Sequence, residues 1–532
     1  MKVIAVLCGA ILLSACGLRP VVPPQEAALE QFGPVLAAAS EENNIELLCG
    51  DSPLLEASPL APADDDSDLW QRLRAGFMLD LDRDNARIRA QRDWYVRHPQ
   101  YIERVTRRAQ RYLHHIVNEV EARGLPMELA LLPIVESAFD PFAYSHGRAA
   151  GLWQFIPSTG RAFGMHQDYW HDDRRDVLTS TESALTYLTQ LAKRFDGDWE
   201  LALASYNAGA GNVSKAIRRN SRQGKATDFW QLSLPRETRA YVPKLIAISQ
   251  IIRDPQGFGL TLTAIAETPY FSVVDIGGQL DLQRAAELSG ITQEEIYYLN
   301  PSLNRWATPP DGPHRLLVPV AAADTLQHEL AALPDDQRLR WQRYRIQPGD
   351  TLGGIARRFN TDINTLRGSN QLRGNLIVAG RELLIPQPAA TPGQYALSAE
   401  NRLQQQQKKQ GQGRSKLTYR VVSGDSLWAI ARRHQVRVRE LASWNGMAPG
   451  DPLAIGRQLV IWQPQGASNT VERPELIRQI NYSVRRGDSL HRIASRFNLS
   501  VTEIASWNNL NTRRYLHPGQ RLTLYLDMRH AP

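Results

Sequence analysis

The sequence predicts a multidomain protein in which a mainly α-helical domain is followed by a small α+β module and then by three βααβ modules on linkers. Three observations predict this architecture. The 532 residues are too many for a single hydrophobic core. Apolar residues recur at helical spacing through residues 70–258. The last third of the chain contains three copies of one pattern, which is typical of small repeated modules.

The N-terminus has the pattern of an export signal. Lys2 precedes an apolar run over residues 3–13, which is shorter than the ~20 residues that a membrane-spanning helix needs. The run ends in Leu13-Ser14-Ala15-Cys16, which resembles a bacterial lipobox. We therefore expect residues 1–15 to be a lipoprotein signal peptide and Cys16 to be acylated. A chance cysteine behind an ordinary signal peptide is the alternative.

The residues after Cys16 indicate where the mature protein goes. Gly17 follows, not Asp, and by resemblance to lipoproteins this favours a lipid anchor on the periplasmic face of the outer membrane. We expect residues 16–69 to be the acylated N-terminus and a tether. Cys8 leaves with the signal, so Cys49 is the one remaining thiol and no internal disulfide is expected.

The formal net charge of +7 is a mild excess. It suits an anionic wall polymer and would equally suit a solvated surface. An exported protein is not expected to bind nucleic acid.

Residues 70–258 are expected to form the mainly helical domain. From Pro99 to Arg123 the apolar residues fall on one helical face, and Gly124 is expected to end this helix. Further helices are predicted at Thr181–Phe195, Trp199–Ala208 and Glu237–Ile252. Residues 259–343 contain two short apolar runs around a helical middle, and we expect them to form the small connecting module.

The repeats occupy residues 344–386, 419–462 and 482–525. Each has a strand-like run, the motif Gly-Asp-Thr/Ser-Leu, two short helices and a closing strand. The Asp and hydroxyl residues of the motif are expected to cap a helix. Asn370, Asn445 and Asn508 are expected to end the second helix in a left-handed turn. Residues 387–418 and 463–481 are polar and are interpreted as linkers, the first of which should reach ~30 Å if flexible.

Glu136 is the most informative residue of the helical domain. It follows the apolar run from Leu129 to Val135. Apolar surroundings raise the pKa of a carboxyl group by desolvation, and a carboxyl with a raised pKa can act as a general acid near neutral pH. The alternative is a surface glutamate at a helix end, which the apolar residues on both sides of Glu136 disfavour.

Four ordered sequence blocks surround this residue. They are Glu136-Ser137 with Phe139-Asp140-Pro141, then Gly151-Leu152-Trp153-Gln154-Phe155, then Ser205-Tyr206-Asn207-Ala208-Gly209, then Glu237-Thr238-Arg239-Ala240-Tyr241-Val242. Together they resemble the lysozyme-like lytic transglycosylase domain of the soluble-transglycosylase type. The resemblance implies a catalytic domain over residues 70–258, with Glu136 as the catalytic residue. It also implies substrate-binding residues, namely Ser145, Gln154, Phe155, Tyr206, Asn207 and Tyr241.

The resemblance suggests a role for each of these residues. Ser145 and Gln154 are expected to hydrogen-bond the catalytic carboxyl or the N-acetyl group of the sugar. The Tyr206 hydroxyl is expected to contact Glu136 or the sugar, and Asn207 to fix the adjacent turn. Tyr241 is expected to line the cleft, with core packing as the alternative. For Phe155 and Trp153, stacking on a sugar and filling the core are equally good interpretations.

The repeats resemble the LysM module, which binds glycans that contain N-acetylglucosamine. The resemblance implies a ligand groove between the Gly-Asp-Thr/Ser-Leu loop and the loop before the closing strand. The implied binding residues are Gly349, Asp350, Thr351, Gly424, Asp425, Ser426, Gly487, Asp488 and Ser489. A packing module without a ligand is the alternative, but several weak sites on one chain suit a polymer. The expected partner is therefore a peptidoglycan glycan strand, and the sequence indicates no particular protein partner.

The reaction that the resemblance implies uses one carboxyl group, with no cofactor and no metal. Glu136 protonates the oxygen between N-acetylmuramic acid and N-acetylglucosamine while the 2-acetamido group of the substrate stabilises the developing cation. Glu136 then takes a proton from the C6 hydroxyl, which closes a 1,6-anhydro ring without consuming water.

Two other functions remain open. A hydrolytic muramidase would need a second carboxylate. Asp140 is the nearest candidate, but Pro141 disfavours helical geometry there and favours a turn-capping role. Four further acids occupy a polar loop and are expected to be solvated, namely Asp168, Asp172, Asp173 and Asp176. The third hypothesis is a non-catalytic lipoprotein that anchors the wall.

Overall fold

The computed structural model describes residues 68–408, 414–464, 477–485, 488–497, 501–508 and 519–527, together with residues 499, 510, 516 and 517. The chain forms two compact units, residues 1–463 and 464–532. The signal peptide expected at residues 1–15, Cys16, Cys49 and Gly487 lie outside the described residues. In the part of the chain that is described, no helix is both long and apolar enough to span a bilayer.

The first domain is helical, as its apolar periodicity predicts. Asn85, Asp176 and Asp198 accept hydrogen bonds from backbone amides at helix starts, which explains where those helices begin. The helices are α1 (Leu69–Ala75), α2 (Ala86–Arg97), α3 (Pro99–Ala109), α4 (Leu113–Ala122), α5 (Leu132–Ser137), α6 (Pro157–Ala162), α7 (Val177–Arg194), α8 (Trp199–Ala208), α9 (Ala210–Arg222) and α10 (Arg236–Arg253), and 3-10 turns lie at Met127–Leu131, Asp173–Arg175 and Phe229–Gln231.

Helix α10 is the central helix of this domain. It packs against α1, α2, α5 and α8. Its inner face is apolar and buried, with Leu245 and Ile251 fully inaccessible to solvent. Burial of such a side chain stabilises the fold by about 1.5–3 kcal/mol. This packing brings together three of the four sequence blocks that surround Glu136.

The prediction of one helix from Pro99 to Arg123 is wrong, because the chain leaves helical geometry between α3 and α4. Arg111 and Tyr112 lie in this break and bond to the connecting module. The guanidinium of Arg111 donates three hydrogen bonds to the Glu295 carboxylate, and the Tyr112 hydroxyl donates to the carbonyl of Tyr298. These contacts to residues distant in sequence offset the helical hydrogen bonds that are lost, and apolar periodicity does not reveal them.

The connecting module has the order strand, helix, helix, strand. Its elements are β1 (Phe271–Asp275), α11 (Leu282–Ser289), α12 (Gln293–Leu299) and β2 (Arg315–Pro319), followed by α13 (Val320–Ala332). The strands pair antiparallel, with Val273 opposite Leu317. The Asn300 side chain donates to the carbonyls of Ile296 and Leu317 and accepts from the Leu317 amide, so it joins the second helix to the closing strand.

The first two repeats have the predicted βααβ order. One consists of β3 (Arg340–Arg345), α14 (Leu352–Arg358), α15 (Ile363–Ser369) and β4 (Glu382–Gln387), and the other of β5 (Arg414–Arg420), α17 (Leu427–Arg433), α18 (Val438–Trp444) and β6 (Gln458–Pro464). In each repeat the two strands form one sheet. In the unit formed by residues 464–532, the described elements are β7 (Ile477–Ser483), α19 (Leu490–Arg496), α20 (Val501–Trp507) and β8 (Arg521–Asp527), with Tyr482 opposite Leu522.

The repeat motif has two roles, and the prediction that both of its polar residues cap a helix is wrong for the aspartate. Thr351, Ser426 and Ser489 are N-caps, each accepting a hydrogen bond from a backbone amide in the first turn. The aspartates accept instead from a strand tyrosine and from a loop amide. Asp425, for example, accepts from the Tyr419 hydroxyl at 2.7 Å and from the Val422 amide at 2.9 Å. Asp350 and Asp488 have the corresponding partners.

The repeat asparagines do not make the predicted left-handed turns. The φ angles of Asn370 and Asn445 are −113° and −111°. Their side chains, and that of Asn508, bridge the second helix to the closing strand. Asn300 makes the same bridge in the connecting module. The connecting module therefore shares both its βααβ order and this bridge with the repeats.

The prediction that residues 387–418 form a flexible linker is wrong. The segment contains α16 (Ala399–Lys408), and β5 begins within it. The Tyr395 hydroxyl donates to the buried carboxylate of Asp281, and the amide of Ala399 donates to the carbonyl of Asn304. These bonds hold the segment against the connecting module, which composition alone does not indicate.

Candidate active site

Glu136 lies near the C-terminal end of the short helix α5. The helix stops at Ala138, where φ is 51°, and Phe139 also has a positive φ of 53°. These two left-handed residues turn the chain sharply directly after Glu136. Glu136 is 8% exposed, and the α5 residues before it are apolar, with Ile134 buried and Val135 partly buried. The apolar run therefore does bury the carboxyl, as the sequence predicts.

The carboxyl faces a small pocket on the helical domain. The pocket is lined by Tyr95, Tyr101, Ile134, Val135, Glu136, Ser137, Ala138, Ala143, Tyr144, Gln154 and Lys244. Glu136 supplies the one carboxyl group among these described lining residues. Burial raises the pKa of Glu136 from 4.5 to about 8. Within the folded protein the group is therefore largely protonated at neutral pH.

Tyr241 on α10 contacts this carboxyl directly. Its hydroxyl donates a hydrogen bond of 2.5 Å to Oε1 of Glu136, and this bond acts against burial by lowering the pKa of the carboxyl. The other oxygen, Oε2, is buried and has no hydrogen-bond partner among the described residues. Tyr241 thus holds one oxygen and leaves the other available.

Two charged residues of α10 act on Glu136 through space. The negative charge of Glu237 raises the pKa of Glu136 and the positive charge of Lys244 lowers it. Lys244 lines the pocket, and burial lowers its own pKa. Lys244 is not among the residues that the sequence motifs predict for the site. It could have been found, because it lies three residues after Tyr241 and so on the same helical face.

Gln154 and Ser145 do not bond to Glu136, so that part of their predicted role is wrong in this structure. Gln154 lines the pocket, but its amide nitrogen donates to the carbonyl of Gly151 at 2.8 Å. The Ser145 hydroxyl accepts from the amides of Gly147 and Ala149, which stabilises a turn. Both side chains satisfy local backbone groups, a competition that a motif does not display.

The Tyr206 hydroxyl donates to the carbonyl of Trp153 at 2.9 Å instead of contacting Glu136, and the residue is fully buried. The predicted contact with Glu136 is therefore wrong, and the alternative contact with the sugar stays a prediction. Burial and the Glu136 charge nevertheless both raise the pKa of Tyr206. The resemblance predicts that Asn207 fixes the adjacent turn, and in the structure its Oδ1 accepts a hydrogen bond from the Thr238 hydroxyl on α10. Phe155 and Trp153 are also fully buried, so both fill the core.

Among the residues that the structure describes, none of the other candidate acids lines the catalytic pocket. Asp140 accepts a hydrogen bond from the Phe142 amide, which confirms the predicted turn-capping role. Asp168 is exposed, as predicted. For Asp172 and Asp176 the prediction of solvation is wrong, because both are buried. Asp172 pairs with Arg174 at 2.8 Å, and Arg315 pairs with Asp176 at 2.9 Å.

Family models match three parts of the chain. The model described as "Transglycosylase SLT domain" matches residues 116–229, which include Glu136. The model described as "Lytic transglycosylase MltD, LysM-like domain" matches residues 270–335, which form the connecting module. The LysM domain model matches residues 344–386, 419–462 and 482–524.

The membrane-bound lytic murein transglycosylase D of Escherichia coli (strain K12) is 35% identical to this chain over 469 residues, which are 86% of this chain and 98% of that protein. The chain belongs to the membrane-bound lytic murein transglycosylase D family. The match explains why the connecting module resembles the repeats, since the family has a LysM-like domain at this position. The match covers 98% of the relative, so the two proteins align along almost the whole length of the relative.

Two further similarities cover smaller parts. A protein of Alteromonas sp. (strain M-1) named for tributyltin chloride resistance is 38% identical over 183 residues, which are 34% of this chain and 86% of that protein. Among solved structures, an inactive mutant of the lytic transglycosylase Slt from Pseudomonas aeruginosa is 21% identical. It covers 37% of this chain and 33% of that chain, with a TM-score of 0.22.

Proposed function

We propose that this protein is a lytic transglycosylase that cleaves the β-1,4 bond between N-acetylmuramic acid and N-acetylglucosamine in peptidoglycan and leaves a 1,6-anhydro end. Membership of the lytic murein transglycosylase D family supports the reaction class. The observation that carries the proposal is the buried Glu136 carboxyl, whose pKa of about 8 suits a general acid at neutral pH.

The chemistry follows from the two oxygens of Glu136. Tyr241 donates to Oε1, so the transferable proton belongs on the unpartnered Oε2. The protonated carboxyl gives this proton to the glycosidic oxygen. The 2-acetamido group of the substrate stabilises the cation that develops. The carboxylate, with Lys244 nearby, then accepts the proton of the C6 hydroxyl as the anhydro ring closes.

The hydrolytic alternative is less well supported. A glycosidase that activates water as a general base uses two carboxyl groups at a defined separation. Among the described residues that line the pocket, Glu136 is the one acid, and Asp140 is occupied in a turn. The non-catalytic alternative requires a missing acid, whereas Glu136 is present and buried.

Product analysis of digested sacculi tests the proposal. The full chain is expected to release muropeptides with anhydro ends, each lighter by one water than the hydrolysed product. Glu136→Gln is expected to release neither product and still to bind sacculi. Reducing ends alone would favour a muramidase, and full turnover by Glu136→Gln would refute the assignment of the acid.

We also propose that the substrate lies against the pocket residue Gln154, the Tyr241 hydroxyl that bonds to Glu136 and the neighbouring turn at Ser145, and that the LysM repeats bind the glycan. In the repeats, the tyrosine–aspartate bonds fix the Gly-Asp-Thr/Ser-Leu loop, which supports its use as a preformed binding loop.

For the N-terminus we propose removal of residues 1–15, acylation of Cys16 and anchoring at the periplasmic face of the outer membrane. The lipobox-like residues support this, as does the relative described as membrane-bound.

A further inference from the structure

A second and larger cavity lies beside the catalytic pocket, within residues 1–463. Its volume is about 570 Å³. The turn from Asp140 to His146, helix α16 and the end of α18 contribute to its walls, and Tyr298 of the connecting module completes them. Ala143 and Tyr144 line both this cavity and the catalytic pocket. A ligand can therefore extend from one into the other.

The charged groups on the walls of this cavity are mostly guanidinium groups. Arg108, Arg111, Arg175 and Arg402 line the cavity, against the single carboxylate of Asp140. Glu295 neutralises Arg111 through a pair at 2.7 Å. Arg108 donates to a backbone carbonyl, that of Ala138. The walls consequently carry an excess of positive charge.

The positive charge of Arg175 is only partly neutralised by its neighbours. Its Nε atom is buried and has no hydrogen-bond partner in the part of the chain that the structure describes. Its nearest carboxylate, Asp172, is 3.8 Å away and already bonds to Arg174 at 2.8 Å. A partly buried cation that shares its closest carboxylate with a second arginine is incompletely neutralised, so a bound anion would stabilise this arrangement.

Arg402 on α16 adds a second, partly buried cation. Its guanidinium donates to the carbonyl of Leu397 and lies 4.2 Å from the Phe142 ring centre. Burial, together with the nearby charge of Arg175, lowers the pKa of Arg402 to about 9. Two guanidinium groups thus place like charges on the walls of one cavity. The half-buried indole of Trp444 contributes an apolar wall.

We propose that this cavity binds the carboxylate-bearing peptide arm of peptidoglycan while the glycan lies in the catalytic pocket. The proposal rests on the proposed function. A neutral N-acetylated sugar needs aromatic surfaces and amide groups, and it would leave the two guanidinium groups to share Asp172 and Asp140 without a further counter-ion. A peptide arm with free carboxylates supplies that counter-ion, and charge-assisted bonds from arginine to carboxylate are strong. The volume falls in the range of pockets for small ligands, roughly 300–1,000 Å³.

A comparison of two substrates tests this inference. One is a glycan strand that keeps its peptide arms, and the other is a strand from which an amidase has removed them. The full chain is expected to form anhydro ends faster on strands that keep their arms. Arg402→Gln should lower this preference about tenfold, the effect of losing one charge-assisted contact. Arg402→Lys keeps the charge and should retain more of the preference. Arg161→Gln, at an exposed position on α6, is the matched control and should leave the ratio unchanged.

The outcomes separate the two proposals. The inference would be overturned if anhydro ends formed at the same rate on both substrates. It would also be overturned if Arg402→Gln slowed both reactions equally. Either result would leave the proposed function intact. No anhydro product from either substrate would overturn both. Calorimetric titration of the free stem tripeptide into the unmodified chain is independent of how any variant folds. Saturable binding that weakens with added salt supports the inference, and no binding at millimolar peptide would contradict it.

Discussion

Replacement of Glu136 by glutamine should stabilise the protein while abolishing its reaction. The carboxyl has a pKa of about 8 in the folded chain against a reference value of 4.5. Between these values the unfolded chain releases the proton and the folded chain keeps it. The free energy of unfolding therefore falls as pH rises through this window, by about 1.4 kcal/mol per pH unit. The loss is absent below pH 4.5 and complete above pH 8.

The glutamine amide has the same shape as the carboxyl but does not titrate, so the variant does not lose unfolding free energy as the pH rises. Its carbonyl oxygen can still accept the hydrogen bond from Tyr241. Glu136→Gln should therefore exceed the parent in unfolding free energy by about 3 kcal/mol at pH 7 and by about 5 kcal/mol above pH 8. At pH 7 this corresponds to a rise of roughly 6–12 °C in the Tm of the helical domain.

Thermal unfolding of the parent and the variant at pH values from 4.5 to 8.5, followed by circular dichroism, measures the difference. Glu182→Gln, at an exposed position on α7, is the control and should show no pH-dependent gain. A gap between Glu136→Gln and the parent that stays constant with pH would refute the reasoning, and so would a variant that is less stable at pH 7. Either result would mean that the carboxyl is solvated in the folded protein.

Other predictions address the remaining parts of the molecule. Tyr241→Phe removes the hydrogen bond that lowers the pKa of Glu136, so the alkaline limb of the pH profile of kcat/KM should move to higher pH; an unchanged limb would argue against the contact. Asn445→Ala leaves the amide of Val460 and two carbonyls without partners, and chemical denaturation should show a loss of about 2–4 kcal/mol in the second repeat. Substitution of the exposed Asn364 by alanine in the first repeat is its comparison and should cost well under 1 kcal/mol. Deletion of residues 464–532, a compact unit of its own, should weaken sacculus binding more than it slows cleavage of short soluble glycans; an equal loss of both would indicate that the unit supports the catalytic fold. Cys16→Ala should move the protein from the membrane fraction to the soluble periplasmic fraction, and retention at the membrane would count against the acyl anchor.

The positions of several elements could be predicted because their signals are local. Helix α8 begins and ends at the predicted residues, Trp199 and Ala208, because Asp198 caps its start and Gly209, with φ of 83°, follows its end. The βααβ order of the repeats was predictable because one pattern of apolar residues and caps recurs. Burial of Glu136 was predictable because the residues around it are apolar.

The structure differs from these predictions where partners lie far apart in the chain. The break before Leu113 depends on Glu295 and Tyr298, and the order of residues 387–408 depends on Asp281 and Asn304. A side chain with several hydrogen-bonding groups takes the partner that packing brings nearest. For this reason no motif could show that Tyr206 bonds to a carbonyl while Tyr241 bonds to the carboxyl.

The sequence by itself determined the domain order, the repeated modules and the buried acid, because all of these depend on composition and periodicity within short segments. Only the tertiary structure decided which hydroxyl holds Glu136, which acids are paired, and how α16 and α18 meet the turn at Asp140 to enclose a cationic cavity. Those features depend on distances between residues that are remote in sequence, and such distances exist only after the chain has packed.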